Sequence, residues 1–183
     1  MAERPPLVGS ELMYEGAVFT LRRHRIRTAQ GVVERDVVWH PGAVVLVPID
    51  QGKVSLVRQW REPVGELLEL PAGTLDPGES PLETAVRECR EEIGMRPGRL
   101  EPLGQHLAAP GYSTEMLFFF LAQDLHADPL PLPEEEGLAV EAMDWQDAVR
   151  RAASGGFADA KTALGVLLAA VRLKDGPGSI ERP

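Results

Sequence analysis

A short segment with a helical repeat interrupts a chain that otherwise reads mostly as β-strand. Between residues 80 and 94 apolar residues recur every three or four positions, which predicts a helix with one buried face. That face comprises Leu82, Ala85, Val86, Cys89 and Ile93. Ser80 can cap the start with Glu83 completing a capping box, and Gly94 ends the helix. A helix between strand-rich stretches must bury its apolar face, which constrains the chain to pack it on a sheet.

Alternating and β-branched residues predict strands on both sides of this helix. Residues 14–40 are typical of a hairpin around a turn at 29–31. Further strands are expected at 42–49, 53–61, 67–70, 100–108, 116–122 and 138–145. Residues 124–136, rich in proline and acid, predict a loop, and helices are expected near 146–153 and 158–174.

The order of these elements indicates an α+β protein, an α/β/α sandwich with a mixed sheet and an N-terminal β-hairpin or small antiparallel sheet. The length of 183 residues favours one main domain with a small annex. We expect an N-terminal β-rich arm at 1–41, loose over residues 1–10. The main domain is expected at 42–175 and a flexible tail at 176–183.

Charge and cysteine content narrow the classes of function. The formal net charge of −9 disfavours a nucleic-acid binder, and an acidic protein that acts on phosphates needs cations to screen them. The single cysteine, Cys89, excludes an internal disulfide framework and a cysteine-based zinc site. The apolar runs are too short to span a bilayer and the N-terminus lacks an apolar signal core. We therefore expect a cytoplasmic protein without nucleic-acid or membrane partners.

The predicted helix carries a cluster of acidic residues on one flank. Glu88 lies one turn from Glu91 and Glu92, and Glu79 stands just before the helix. Carboxylate oxygens are the hard ligands that Mg²⁺ takes when it also binds a substrate phosphate. A solvated acidic face is the alternative, but the preceding glycine turn and Arg87 within the cluster favour a metal site.

The 23-residue segment 73–95 resembles the Nudix box at all nine defined positions. These are Gly73, Glu79, Arg87, Glu88, Glu91, Glu92 and Gly94, with Cys89 and Met95 in the two apolar slots. The resemblance implies the Nudix fold and a metal-dependent hydrolase of nucleoside diphosphates linked to another moiety. It implies Mg²⁺, with Mn²⁺ or another divalent ion as alternatives, held by Glu88, Glu91, Glu92 and the Ala72 carbonyl. Gly73, Glu79, Arg87 and Gly94 would have structural roles.

Three further stretches are similar to the ADP-ribose pyrophosphatase branch of that family. Pro110 lies in an A-P-G-Y-S-T-E stretch sixteen residues after Gly94, and the branch resemblance makes Glu115 a ligand of the terminal ribose. The stretch 58–61 matches an RQ-aromatic-R strand and makes Arg61 a substrate-binding residue. By the same resemblance, Arg35 and Asp36 would reach the substrate of a neighbouring subunit in a homodimer formed through residues 1–41. Phe19, Trp39 or Trp60 could stack on a purine, and a place in the core is the alternative for each of them.

The branch also implies a catalytic base in an acidic loop. Glu134 and Glu136 are the matching residues, beside the catalytic Glu91 and Glu92; a merely solvated loop is the alternative. The expected reaction is hydrolysis of ADP-ribose to AMP and ribose 5-phosphate. GDP-mannose, FAD or NADH remain alternative substrates, and a nucleotide-sensing module without catalysis or a homodimeric scaffold remain alternative functions.

Overall fold

The computed structural model describes residues 5–131 and 138–175. Its strands are β1 (Leu7–Glu15), β2 (Thr20–Thr28), β3 (Gly31–Trp39), β4 (Ala43–Asp50), β5 (Lys53–Arg61), β6 (Gly65–Glu69), β7 (Ala72–Thr74), β8 (Met95–Leu107), β9 (Met116–Ala127) and β10 (Ala139–Asp144). Its helices are α1 (Pro81–Glu92), α2 (Trp145–Ala153) and α3 (Ala160–Asp175). Contacts divide the chain into two compact units, Met1–Gly42 with His106–Leu117, and Ala43–Gln105 with Phe118–Pro183.

The first unit is built on an antiparallel sheet in the order β1-β2-β3. β2 and β3 pair continuously from Thr20 opposite Trp39 to Thr28 opposite Gly31, which confirms the predicted hairpin. β1 pairs along the other edge of β2 and begins at Leu7. The expectation of a loose arm over residues 1–10 is therefore wrong from Leu7 onward. A partner strand supplies hydrogen bonds that the local sequence does not reveal.

The segment 109–115 belongs to the first unit because it lies along β3. The Val38 backbone N–H donates to the Tyr112 carbonyl at 2.8 Å, and the Val38 carbonyl accepts from the Thr114 N–H at 2.9 Å. Val38 and Ser113 thereby form a parallel β-bridge. Because these contacts are made by backbone groups, no side-chain pattern in the sequence predicts them.

The second unit is a sheet covered by helices on both faces. Its strands lie in the order β10-β5-β4-β9-β8, with β6 paired to β5 and β7 paired to β4. Val44 and Leu46 of β4 share a buried cluster with Cys89 of α1. Val47 points to the opposite face, where α3 passes so closely that a Cβ on Gly165 would meet it at 3.4 Å. This arrangement is the predicted α/β/α sandwich.

Helix α1 begins as the sequence predicts, but its buried face is shifted. The Ser80 side chain accepts from the Glu83 N–H while the Glu83 carboxylate accepts from the Ser80 N–H. The buried residues are Thr84, Ala85, Glu88 and Cys89. Leu82 is 53% exposed, so its assignment to the buried face is wrong. Leu82 shares the angular position of Cys89 two turns earlier, and periodicity cannot tell whether a neighbour covers the first turn.

Two strands extend beyond their predicted limits. β8 begins at Met95 and β9 continues to Ala127. Pro97 weakens the strand signal of β8, yet among the described strands β8 lies at the edge of the sheet, where a proline is tolerated. The predicted loop over 124–136 is therefore wrong for residues 124–127.

The described residues contain no helix long and apolar enough to cross a membrane.

Candidate active site

The turn between β7 and α1 carries Glu79 back toward the helix. The Glu79 N–H donates to the Asp76 carbonyl at 3.0 Å, and Gly78 has φ 85°, a conformation that suits glycine. The Glu79 carboxylate accepts from the Thr84 hydroxyl at 2.8 Å. The turn thereby presents a carboxylate to the acidic flank of α1.

Arg87 connects the carboxylates on this flank. Its Nε and Nη2 donate to Glu79, the shortest contact being 2.9 Å, and Nη2 also donates to the Thr74 carbonyl at 3.1 Å. Its Nη1 donates to Glu88 at 2.5 Å and to Glu91 at 2.9 Å. The guanidinium lowers the pKa of Glu79 to about 2, which keeps that carboxylate ionised. The contacts of Glu79 and Arg87 hold the turn against α1.

Glu88 lies directly against Gly73. A Cβ on Gly73 would stand 1.9 Å from the Glu88 carboxyl carbon, so the carboxylate occupies the space that any larger residue would need. The Glu88 side chain is only 9% exposed. Its burial raises the pKa, while the charge of Arg87 opposes that shift. Gly73 therefore permits a buried carboxylate at this point.

Glu92 faces the strand that precedes the turn. Its Oε2 accepts from the Ala72 N–H at 2.9 Å. Burial raises the pKa of Glu92 to about 8, and the charges of Arg61 and Lys161 act in the opposite direction. The backbone of Ala72, whose carbonyl is a predicted metal ligand, is thus in contact with a predicted glutamate ligand.

Gly94 and Cys89 take structural positions in α1 and its end. Gly94 follows the C-cap residue Ile93 with φ 69°, and its carbonyl accepts from the Asp128 N–H at 3.0 Å. Cys89 is fully buried in the core cluster, and burial raises the pKa of its thiol to about 12. A thiol in that environment is a packing residue and not a nucleophile.

The donor set fits a divalent cation by its chemistry. Glu88, Glu91, Glu92 and the Ala72 carbonyl offer the hard oxygen atoms that Mg²⁺ and similar ions take. A bound cation would favour the ionised carboxylates that burial disfavours. Across 5–131 and 138–175 no three acidic, histidine or cysteine side chains already stand together as a metal cage. Instead, Arg87 holds Glu88 and Glu91.

A second charged group, which the sequence analysis missed, lies at the end of β6. Glu69 is buried, and its Oε2 accepts from Nε and Nη2 of Arg61 at 3.0 and 2.8 Å. Its other oxygen lies 3.0 Å from Nζ of Lys161 on α3. The predicted substrate-binding Arg61 is therefore fixed by a buried carboxylate. The available signal was the acidic Glu69 within the apolar run 67–70.

The first unit carries the other predicted substrate-binding residues. Phe19 is 41% exposed, with its ring centroid 6.1 Å from that of Tyr14. Asp36 accepts two hydrogen bonds from Arg23, its direct neighbour on β2, at 2.8 and 3.0 Å, and this pairing lowers the pKa of Asp36. Arg35 donates to the backbone carbonyl of the residue before it. Cross-strand register makes Arg23 the partner of Asp36, and a single sequence does not display register.

Three predicted glutamates remain to be placed. Glu115 follows the segment bridged to β3, and its N–H donates to the Ser113 hydroxyl at 3.1 Å. Glu134 and Glu136, the candidates for the base, lie outside the described residues. Their assignment stays a prediction.

A comparison with known families decides the identity of the fold. A model of the NUDIX domain matches residues 38–163, well over half of the chain. The chain belongs to the Nudix family. The matched region includes the entire box segment on which the resemblance was based, so the family assignment made from the sequence is confirmed. Nudix hydrolases generally need a divalent metal ion.

Individual Nudix relatives cover most of the chain. The ADP-ribose pyrophosphatase of Mycobacterium tuberculosis (strain ATCC 25618 / H37Rv) is 39% identical over 167 residues, covering 87% of this chain and 80% of the relative. The ADP-ribose pyrophosphatase of Bacillus subtilis (strain 168) is 34% identical over 164 residues, covering 87% and 89%. A crystal structure of an ADP compounds hydrolase superposes with a TM-score of 0.83 at 26% identity, covering 98% of this chain and 99% of that one. The predicted Nudix fold is confirmed.

Proposed function

We propose that this protein is a Mg²⁺-dependent Nudix hydrolase that cleaves the diphosphate of ADP-ribose with water, giving AMP and ribose 5-phosphate. The observation that carries the proposal is an intact box on a chain similar over most of its length to two ADP-ribose pyrophosphatases. All nine box positions are filled, and Glu79, Arg87 and Glu88 are joined by hydrogen bonds. A sensor without catalysis would not need these carboxylates.

Glu88, Glu91, Glu92 and the Ala72 carbonyl would hold the cation. When bound, Mg²⁺ supplies Lewis-acid polarisation and screens the charge of the diphosphate. Gly73 gives Glu88 its space, and the Ala72 N–H orients Glu92. Arg87 keeps Glu88 and Glu91 on one side of the helix. The residues of the chain thus place hard oxygen atoms where α1 meets β7.

Arg61 would bind an anionic oxygen of the substrate. Its charge acts on Glu92, so the guanidinium lies within electrostatic range of a proposed metal ligand. Glu134 or Glu136 would accept a proton from the attacking water, an assignment that rests on the sequence alone. We keep the cytoplasm as the proposed compartment.

We also propose a homodimer in which Phe19, Arg35, Asp36 and Glu115 contribute to substrate binding. The first unit exposes large apolar side chains that a second copy would cover. They include Leu7, Val8, Leu12, Met13, Tyr14 and Val32. Sedimentation velocity at micromolar concentration checks this, and a chain that remains monomeric there would contradict the proposal.

A competition assay tests the reaction. The protein with Mg²⁺ would receive equimolar ADP-ribose, GDP-mannose, FAD and NADH, with Glu92→Gln as the matched inactive control and products followed by mass spectrometry. Preferential loss of ADP-ribose with equal amounts of AMP and ribose 5-phosphate is expected. Preference for another substrate would reject the ADP-ribose assignment, and no turnover of any of them would reject the hydrolase.

A further inference from the structure

The carboxylate of Glu69 is shared by two cations, each on a different oxygen. Oε2 accepts from Arg61 Nε and Nη2, and Oε1 pairs with Lys161 Nζ. The Glu69 side chain is 3% exposed. A buried carboxylate with both oxygens occupied cannot rotate without breaking a charged hydrogen bond, so its plane is fixed. Arg61 therefore receives its orientation from a rigid acceptor.

The Arg61 guanidinium has hydrogen-bond donors that Glu69 does not use. Glu69 takes Nε and Nη2, and within residues 5–131 and 138–175 Nη1 has no hydrogen-bond partner. The Arg61 side chain is 40% exposed, whereas the Glu69 carboxylate that holds it is buried. Because Glu69 accepts hydrogen bonds from one edge of the guanidinium, the remaining N–H groups face solvent and can donate to a phosphate oxygen.

Lys161 is itself held in place by the start of α3. Its Nζ lies 2.9 Å from Asp159 Oδ2, which also accepts from the Thr162 N–H at 2.9 Å. The Thr162 hydroxyl in turn accepts from the Leu70 N–H at 2.8 Å, so α3 is joined to the residue that follows Glu69. These contacts connect Arg61 to two elements of the sandwich rather than to a loop.

We propose that Glu69 and Lys161 are positioning residues, which act through Arg61 by aiming its free Nη1 at an anionic oxygen of the substrate diphosphate. This inference rests on the proposed function, because it assigns that same site a diphosphate ligand. Ala72, whose N–H donates to Glu92, follows Glu69 by three residues, and the charges of Arg61 and Lys161 act on Glu92; both observations support a location near the glutamates proposed to bind the metal. Lys161 does not touch the substrate and its effect passes through the Glu69 carboxylate.

The test is a double-mutant cycle measured on KM and kcat for ADP-ribose at saturating Mg²⁺. Lys161→Met removes the cation and keeps the stem, and we expect KM to rise about tenfold with kcat within about twofold. Lys161→Arg keeps the positive charge, and its KM should stay within about threefold of the wild-type value. In an Arg61→Gln background, Lys161→Met should change KM by less than about twofold, because its route of action is gone. Lys53→Met, at the exposed start of β5, is the matched control and should leave KM unchanged.

Additive effects of Lys161→Met and Arg61→Gln would overturn the proposal, as would a lower melting temperature with unchanged KM. If Lys161→Met does not fold, Glu69→Gln tests the same route, because it should raise KM and the rise should disappear in the Arg61→Gln background. Calorimetric titration of the same variants with methylenediphosphonate and Mg²⁺ distinguishes failure of the proposed ADP-ribose hydrolysis from failure of the positioning role. If Lys161→Met binds methylenediphosphonate more weakly than the wild type, and the wild type does not cleave ADP-ribose, the positioning role is retained and the proposed substrate is rejected. Equal affinity in Lys161→Met and wild type would reject the positioning role.

Discussion

Replacing Glu92 by glutamine should remove catalysis and yet stabilise the protein when no metal is added. The pKa of Glu92 rises from 4.5 to about 8 because the carboxylate is buried. A group whose pKa rises on folding stabilises the fold below its unfolded pKa and loses that contribution as the pH rises through the folded value. The loss therefore occurs between about pH 4.5 and about pH 8.

The size of the effect follows from the shift. A rise from 4.5 to about 8 corresponds to roughly 4 to 5 kcal/mol across the whole window and about 3 kcal/mol at pH 7. Glutamine does not titrate, and its amide oxygen can still accept from the Ala72 N–H. In EDTA, Glu92→Gln should thus exceed the wild type in free energy of unfolding by about 3 kcal/mol at pH 7, and by less at pH 5.

Glu79 provides a control of opposite sign beside the same helix. Arg87 lowers the pKa of Glu79 from 4.5 to about 2, so Glu79 contributes stability above pH 4.5 that is lost as the pH falls through about 2. Glu79→Gln should therefore destabilise the protein at pH 7, by about 1 to 2 kcal/mol once solvent screening of the pair is allowed for. The same chemical change at two glutamates should move stability in opposite directions.

Urea unfolding in EDTA between about pH 5 and about pH 9 measures the free energy of unfolding of both variants. Thermal unfolding with added Mg²⁺ measures how much the bound metal stabilises each protein. Wild type should gain about 3 kcal/mol at a Mg²⁺ concentration one hundred times Kd, whereas Glu92→Gln should gain much less. Turnover of ADP-ribose should fall at least about a hundredfold in Glu92→Gln. A variant that is less stable than wild type in EDTA at pH 8, or that keeps turnover within a few-fold, would refute the reasoning.

Three further outcomes follow from named contacts. Gly73→Ala should lower turnover at least about tenfold and lower the free energy of unfolding by about 1 to 3 kcal/mol, because the new Cβ would lie 1.9 Å from the Glu88 carboxyl carbon. Initial rates and urea unfolding measure the two effects. Gly111→Ala is the stability control, because its Cβ would meet nothing within 4 Å. Arg87→Lys should cost about 2 kcal/mol in urea unfolding, because an ammonium cannot bridge Glu79 and Glu88 as the guanidinium does; unchanged stability would contradict that role. The Cys89 thiol should react with a disulfide reagent at pH 8 only at the rate of unfolding, and rapid labelling of the folded protein would show that it is accessible.

The box and its helix were predictable because their information is local. The cap at Ser80, the stop at Gly94 and the flank of Glu88, Glu91 and Glu92 follow from spacing within 23 contiguous residues. The helical repeat puts residues three and four apart on one side whatever the rest of the chain does. The β2–β3 hairpin was equally visible, since its turn and alternation are adjacent in sequence.

Leu82 and residues 124–127 show where local patterns fail. Leu82 has the right periodicity for burial, but burial depends on whether another element covers that turn. Residues 124–127 have a loop composition, and the strand forms because β8 lies beside them. In both cases the deciding group is remote in sequence.

By itself, the sequence determined the family and the acidic helix flank, and it predicted a cation at that flank. Only the tertiary structure decided which groups hold these residues in place. Glu69 meets Lys161 because α3 packs against the end of β6, where Leu70 and Thr162 are 92 residues apart. Gly73 fits against Glu88 because β7 and α1 approach within van der Waals contact. Such pairs depend on how whole elements pack, and residue spacing carries no record of that packing.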